Sequence, residues 1–200
     1  MNYNLTLKTP PETEPLTFTE AKRHLKLDTE DTFEDDDITS LITTARGYCE
    51  DYQNRAYLTQ TWQLSFDYWP SGMLELPKGS LQTIDSVAYK DSSGVTTELT
   101  EGIDYVYSTR GILGRLTPAY DKSWPSFTPF PLDAIVIEFT CGYGDLSSDV
   151  PEKVKLAMKL LIGHWYENRE AASTAGVSKL SKEIEFSVHS LLNLERLVPV

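Results

Sequence analysis

The chain has 200 residues, 40% of them hydrophobic, which is enough to bury one substantial core or two smaller ones. Its 30 acidic residues outnumber its 18 basic residues and give a net charge of -12, so binding that depends on neutralising nucleic-acid phosphates is not expected. Short basic groups such as Lys22-Arg23 are interleaved with acids, as on solvated helix faces. There is no apolar run of about 18 residues and no basic, apolar leader, so we expect a soluble chain made in a cytoplasm, without a membrane partner.

The first part of the chain predicts an extended arm followed by two helices. Three prolines favour an extended N-terminal arm over residues 1–15. Thr17 and Glu20 have capping-box spacing and predict a short helix to about Leu27. The acidic segment Asp28–Asp37 lacks the glycine of a calcium loop, and we interpret its acids as the start of a helix, where the macrodipole favours negative charge. Apolar residues recur at helical spacing through this second helix: Ile38, Leu41, Ile42, Ala45, Tyr48, Cys49 and Tyr52.

From Thr59 the hydrophobic period changes to that of strands, with Trp62, Leu64 and Phe66 alternating with polar residues. Further short strands are predicted at Met73–Leu76, Thr83–Tyr89, Val95–Leu99, Tyr105–Tyr107, Gly111–Leu116 and Ala134–Thr140. Their regular spacing predicts an antiparallel sandwich or barrel. The segment Pro118–Pro131 is too rich in proline for a sheet interior, and we expect an exposed or partner-covered loop.

The last part of the chain is predicted to be helical again. Asp149 and Glu152 have capping-box spacing, with Pro151 in the first turn, and predict a helix to about Arg169. This helix is apolar on more than one side, at Val154, Leu156, Ala157, Met158, Leu160, Leu161, Ile162 and Trp165. We therefore expect it to be buried on two faces, either centrally or against a neighbouring subunit. A linker at 171–176 and a short helix over Ser187–Arg196 complete the prediction.

Together these elements predict an α+β fold. The N- and C-terminal helices would form a helical bundle, with an antiparallel β-sandwich or barrel-like domain inserted between them. The predicted domains are an extended arm at 1–15, a discontinuous helical domain at 16–58 and 146–200, and a β domain at 59–145.

The residue types that carry chemistry are not arranged for it. His24, His164 and His189 lack the spacing of metal ligands, and Cys49 and Cys141 lie far apart, without a CxxC motif. No nucleophile elbow, P-loop or dinucleotide-binding glycine motif occurs. We therefore predict buried free thiols, no catalytic residue, no metal, no cofactor, and a protein that is not an enzyme.

Two other functions stay open on the residues alone. Aromatic side chains could form a sugar-stacking platform on the β domain, at Trp62, Tyr68, Trp69, Trp124 and Phe127. A β-sandwich carbohydrate-binding module is therefore an alternative. A hydrolase with paired carboxylates is a further one, because the sequence does not give the separation of any two of its acids.

Several segments, taken in order, resemble a known family. They are Leu16–Asp28, Glu34–Ile38 leading into Ile42–Arg46, Leu58–Trp62, Leu74–Pro77, Cys141–Gly144, Val150–Pro151 and His164–Glu170. Across almost the whole chain their order resembles the head-tail connector, or head-completion adaptor, family of tailed phages, prophages and gene transfer agents. The resemblance is to the longer variety of that family, in which a β domain is inserted between helices.

The resemblance implies a structural virion protein. Its subunits would form a ring, on the order of a dozen copies, that lies under the portal, extends the DNA channel and joins the DNA-filled head to the tail. The implied partners are the portal protein, copies of the chain itself and the next connector, a stopper or tail-completion protein. DNA would pass through the channel without sequence-specific binding. The implied location is the virion, and the host cytoplasm during assembly.

Five residues are the candidate contact sites of such a subunit. The C-terminal segment is implied to dock on the portal through Leu191, Leu194, Leu197 and Val198. Leu160 lies on the surplus apolar face of the long helix and is expected to meet a neighbouring copy. Another virion component, such as a stopper or tail-completion protein, is the alternative within the same class.

Overall fold

The computed structural model describes residues 3–168 and 181–197. In these ranges the α-helices are α1 (Phe18–Leu25), α2 (Asp35–Gln53), α3 (Glu152–Glu167) and α4 (Lys182–Leu192). The strands are β1 (Asn4–Thr9), β2 (Gln60–Phe66), β3 (Leu74–Leu76), β4 (Leu81–Lys90), β5 (Thr96–Glu98), β6 (Tyr105–Ser108), β7 (Gly114–Pro118) and β8 (Ile135–Cys141). All pairings between these strands are antiparallel, and the predicted α+β class is confirmed.

The chain divides into two compact units. The β unit consists of Met1–Pro11 and Thr59–Tyr143, and the helical unit consists of Glu12–Leu58 and Gly144–Val200. No helix in the described ranges is both long enough and apolar enough to cross a bilayer.

The β unit holds two sheets, one with the strand order β1-β2-β8-β4-β5 and one with the order β3-β7-β6. Alternate side chains of the central strands point into its core, among them Leu64, Phe66, Ile84, Val87, Ile135, Ile137 and Phe139. The two sheets touch where β4 meets β7. A Cβ on Gly114 would lie 2.3 Å from a methyl carbon of Leu81, so only glycine lets the Leu81 side chain pack against the β7 backbone.

The predicted N-terminal arm is not free. Asn4–Thr9 forms the edge strand β1, with Leu5 opposite Leu64 and Leu7 opposite Trp62 in β2. The strand supplies backbone hydrogen-bond partners to β2, which would otherwise be the edge of the sheet. Farther along, Glu14 is held to α2 by Arg46, whose Nε donates to a Glu14 carboxylate oxygen at 2.8 Å.

The segment Pro118–Pro131 also packs on its own unit. The Phe130 N–H donates to the Lys90 carbonyl at 3.0 Å, and the Ser92 N–H donates to the Thr128 carbonyl at 2.9 Å. The Lys90 ammonium lies 4.0 Å from the centroid of the Phe130 ring. Proline removes donors but leaves the carbonyls, so this loop can follow a strand end without joining the sheet.

The helical unit is built around α2, α3 and α4, and α1 packs on α2 and α3. Its core combines the predicted stripes of α2 and α3 with the inner face of α4: Ile38, Ile42, Ala45, Cys49, Val154, Ala157, Met158, Leu161, Ile162, Val188 and Leu192. Tyr48 of α2 meets Trp165 of α3 edge to face, with ring centroids 6.2 Å apart. The helical period of the sequence therefore identified the core of this unit.

Two helices begin elsewhere than predicted. Asp149 does not cap α3: it closes a 3-10 turn, Ser147–Asp149, where its carboxylate accepts the Leu146 N–H at 3.0 Å. The residue before a proline disfavours helical geometry, so Val150 stays extended and α3 starts only after Pro151. Helix α4 begins at Lys182, earlier than predicted, because Ser181 caps it by accepting the Ile184 N–H. The predicted linker at 171–176 lies outside the described residues.

The N-terminus of α1 has the predicted capping box. The Thr17 hydroxyl accepts the Glu20 N–H at 3.3 Å, and the Thr17 N–H donates to the Glu20 carboxylate at 3.0 Å. Partial burial raises the pKa of Glu20, but the hydrogen bonds from Thr17 and the charges of Lys159 and Lys155 outweigh it and lower the pKa. The carboxylate therefore stabilises the fold at neutral pH, and this contribution is lost as the pH falls through its folded pKa.

We expect Thr17→Ala to lower the free energy of unfolding by about 1 kcal/mol, because the helix loses its N-cap. Denaturant unfolding at neutral pH measures the change. Thr19→Ala, at an exposed position on the same helix, is the matched control and should cost much less. Equal effects of the two substitutions would mean that the capping box contributes nothing.

Candidate interaction surfaces

Three of the residues considered for chemistry, Cys49, Cys141 and His189, are packed within the chain. Neither cysteine forms a disulfide, and both are buried. Burial together with the Glu50 charge raises the pKa of Cys49 to about 12, so this thiol is protonated at neutral pH. The His189 ring stacks on Tyr52 with centroids 4.2 Å apart. Within residues 3–168 and 181–197, no three His, Cys, Asp or Glu side chains are grouped to hold a metal ion.

The aromatic residues proposed as a sugar platform are divided between two places. Trp69 and Trp124 stack on each other at 4.4 Å with nearly parallel rings, and Phe127 packs on Tyr89 beside them. Trp62 instead lies under the Lys78 ammonium. Each of the three indoles therefore has a face already occupied within the chain, and the predicted set does not form one open platform.

The acidic segment between α1 and α2 is held by one buried cation. Lys22 is 2% exposed, and its ammonium lies 2.7 Å from a carboxylate oxygen of Asp35. It also donates to the backbone carbonyls of Thr29 and Asp31. Lys22 was predicted to lie on a solvated helix face, and this prediction is wrong, because the segment folds back over it. Phe33, in the same segment, is left 90% exposed.

The end of α4 is tied to the end of α2. The Gln53 amide donates to the Leu192 carbonyl, and the Gln53 carbonyl accepts the Leu197 N–H at 2.9 Å. The Arg55 guanidinium donates to the Glu195 carbonyl at 2.9 Å. The C-terminal residues up to Leu197 are therefore bound to the helical unit of their own chain.

These ties determine where the candidate portal-contact residues lie. Leu191 and Leu197 are half-buried, whereas Leu194 is 87% exposed. Val198 lies outside the described residues. The side chain that fully enters the core is Leu192, which was not one of the candidate contact residues. Leu191 and Leu192 lie three and four residues after Val188, so the helical period alone does not separate them.

Uncovered apolar side chains remain on the outer faces of α3 and α4. On α3, Leu160 is half-buried and Leu156, one turn earlier, is 47% exposed. On α4, Phe186 is 76% exposed. The sequence reasoning missed Phe186 as a surface candidate, although its place opposite Val188 on a short amphipathic helix was a usable signal. Only contiguous exposed apolar side chains mark a surface that binds another protein, and Leu156 and Leu160 lie one turn apart on the same side of α3.

The chain is thus of the α+β class, with exposed apolar side chains on α3, on α4 and near the C-terminus. The family follows from the comparison with family models: the one described as head completion protein matches residues 15–183, and the chain belongs to this family. The resemblance seen in the sequence is confirmed. None of the curated proteins compared with the chain matches it.

Solved structures of gene transfer agent (GTA) particles contain chains with a similar fold. One is from the neck of an empty GTA particle computed with C6 symmetry, with a TM-score of 0.76 and 24% identity over 100% of this chain and 97% of that one. A second is from the virion of a native GTA particle, with a TM-score of 0.76 and 24% identity over 98% and 96%. A third is from the neck of a native GTA particle computed with C12 symmetry, with a TM-score of 0.72 and 22% identity over 100% and 97%. At these identities the likeness shows a shared fold.

Proposed function

We propose that the chain is a structural subunit of the head-tail connector, and that it joins the DNA-filled head to the tail. The observation that carries this proposal is the family match over residues 15–183, which spans helices and strands of both units. The shared fold with chains of GTA necks and virions supports it. The exposed apolar side chains on α3 and α4 suit contacts with other proteins, which accords with a structural role rather than an enzymatic one.

In this proposal the subunits form a ring, on the order of a dozen copies, beneath the portal. The symmetry of the similar neck structures supports a ring. Cyclic assembly needs two different faces on each copy. The outer side of α3, with Leu156 and Leu160, is proposed as one of them. The helical unit would act as the connector domain, a helical bundle into which the β unit is inserted.

The charge of the chain suits a channel that DNA must pass through. The net charge of -12 opposes adhesion of the phosphate backbone. DNA would then slide along the ring without sequence-specific binding. The next connector, a stopper or tail-completion protein, would bind the opposite side of the ring from the portal.

We propose that Leu194 contacts the portal protein, because it is the most exposed of the C-terminal leucines on the described residues. Leu194→Asp should leave the fold intact and weaken binding to the portal at least tenfold, since a charge would enter an apolar contact. Binding of the full chain to purified portal rings is the measurement. Leu132→Asp is the matched control, because Leu132 is also exposed but lies in the β unit. Unchanged binding of Leu194→Asp would remove Leu194 from the portal contact.

The test of the proposed function is electron microscopy of particles made by a phage or prophage from which this gene has been deleted. DNA-filled or leaking heads beside complete free tails are the expected result. Normal virions would contradict a connector role. Heads that already carry a complete adaptor ring and still lack tails would assign the chain to the stopper or tail-completion position instead.

A further inference from the structure

Lys78 is a nearly buried cation that, unlike the other buried lysines, has no anionic partner among the described residues. It lies between β3 and β4 and is 8% exposed. Its ammonium lies 4.7 Å from the centroid of the Trp62 ring. Among the described residues, no carboxylate forms an ion pair with this ammonium.

The other basic side chains with little exposure all have anionic or carbonyl partners. Lys22 is bound by Asp35, Lys155 by Glu152, and Arg55 by the Glu195 carbonyl. Lysine is rarely buried unless it is paired, because removing its charge from water is costly. In a chain with 30 acidic residues, a buried ammonium without one of them nearby needs a separate explanation.

The indole ring beneath the ammonium also has an unpaired donor, as do the Trp69 and Trp124 rings elsewhere among the described residues. The Nε1–H of Trp62 is completely buried and has no hydrogen-bond partner within the described residues. The Lys78 ammonium, in contrast, is not completely buried and keeps contact with solvent. A group from outside the chain can therefore reach it.

The turn that carries Lys78 has an uncommon backbone conformation. Lys78, Gly79 and Ser80 have φ values of 69°, 63° and 44°, which are all left-handed. The turn is anchored by the Ser80 N–H, which donates to the Ile112 carbonyl at 3.2 Å. Lysine is not favoured in this conformation, so the turn itself does not account for its presence.

We propose that Lys78, with Trp62, receives the carboxylate of an Asp or Glu side chain from a neighbouring copy of the chain during assembly. The inference rests on the proposed function, because it requires copies to meet in a particle. Charge complementarity favours this occupant: each copy carries a large surplus of carboxylates, and an ammonium over an aromatic ring in a desolvated contact suits one of them. A DNA phosphate has similar chemistry, but the net charge of the chain opposes it.

Zero-length carbodiimide coupling tests the proposal, since it links an amine to a carboxylate only where they are paired. Particles that contain the chain are treated and digested, and peptides linked through Lys78 are identified by mass spectrometry. The isolated monomer, treated in the same way, is the control for links within one chain. A Lys78 link to an acidic peptide of this chain, present in particles and absent from the monomer, is the expected result.

Three results would overturn the inference. The first is a cross-link from Lys78 to a different protein. The second is a Lys78 that is not cross-linked and that amine acetylation modifies equally in particles and in the monomer. The third is protection of Lys78 from acetylation that disappears when DNA is removed from the particles. Each presupposes that the chain is in the particle. Absence of the chain from particles would instead remove the proposed function.

Variants separate this role from a packing role. Lys78→Met keeps an unbranched stem over Trp62 and removes the charge, whereas Lys78→Arg keeps the charge. We expect both monomers to fold, with Lys78→Met at least as stable as the natural chain, but Lys78→Met to enter particles at least tenfold less efficiently than Lys78→Arg. Equal incorporation of both variants would contradict the proposal.

Discussion

Leu156→Glu is expected to leave the folded monomer nearly unchanged and to reduce its incorporation into particles at least tenfold. Leu156 is 47% exposed on α3, and glutamate is a good helix former, so the helix tolerates the change. In the proposed ring the same side chain is covered by a neighbouring copy. A glutamate charge there would be removed from water without a partner. A loss of about 1.4 kcal/mol in binding free energy already lowers the binding constant tenfold.

The measurement compares the amount of each variant in purified particles with the stability of the isolated chain. Leu160→Glu should act in the same direction, with some loss of monomer stability because Leu160 is half-buried. Leu146→Glu is the matched control, because Leu146 is 62% exposed in the same unit but outside α3. Normal incorporation of Leu156→Glu would place the subunit interface on another face.

Lys22→Met is expected to lower the free energy of unfolding by about 2–4 kcal/mol, because removing one partner of a buried ion pair leaves the others unsatisfied. The ammonium serves the Asp35 carboxylate and the carbonyls of Thr29 and Asp31 together. Methionine preserves the stem but offers no donor to any of them. Denaturant unfolding of the isolated chain gives the value.

Arg23→Met is the control, since Arg23 is the exposed neighbour on the same helix and loses the same charge. We expect it to change the free energy of unfolding by less than about 0.5 kcal/mol. If the two variants were equally stable, the acidic segment would be held by contacts other than Lys22. A further readout is proteolysis between α1 and α2, which should be faster only in Lys22→Met.

The sequence predicted best those helices and strands in which apolar residues recur at the spacing of that element. Helix α2 shows the apolar spacing from Ile38 onward, and β8 alternates over Ile135–Cys141, so each reports its buried face locally. The capping box at Thr17 is local as well, and the geometry agrees with the spacing. Fold class followed from these patterns.

The features that sequence missed depend on distant parts of the chain. β1 is a strand because β2, more than fifty residues later, offers it an edge, while its own composition and the prolines after it suggest an arm. Lys22 is buried because the segment that follows α1 folds back onto it. Neither partner can be identified from the residues around β1 or Lys22.

The exposed side of α3 was predicted only in part, for the same reason. The sequence showed that α3 has more apolar residues than one face needs, but not which of them the other helices cover. The structure places Leu161 and Ile162 inside and leaves Leu156 outside. At the C-terminus, Leu192 enters the core and Leu194 stays in solvent, a difference fixed by the hydrogen bonds to Gln53.

The discontinuity of the helical unit sets the order in which the chain can fold during synthesis. The β unit is complete once Cys141 has left the ribosome, because β8 is its last strand. By then α2 has been made, but α3 and α4, which cover its apolar side, have not. We expect the nascent chain to expose the α2 stripe until α3 and α4 have been made, so this stripe would need chaperone protection during synthesis.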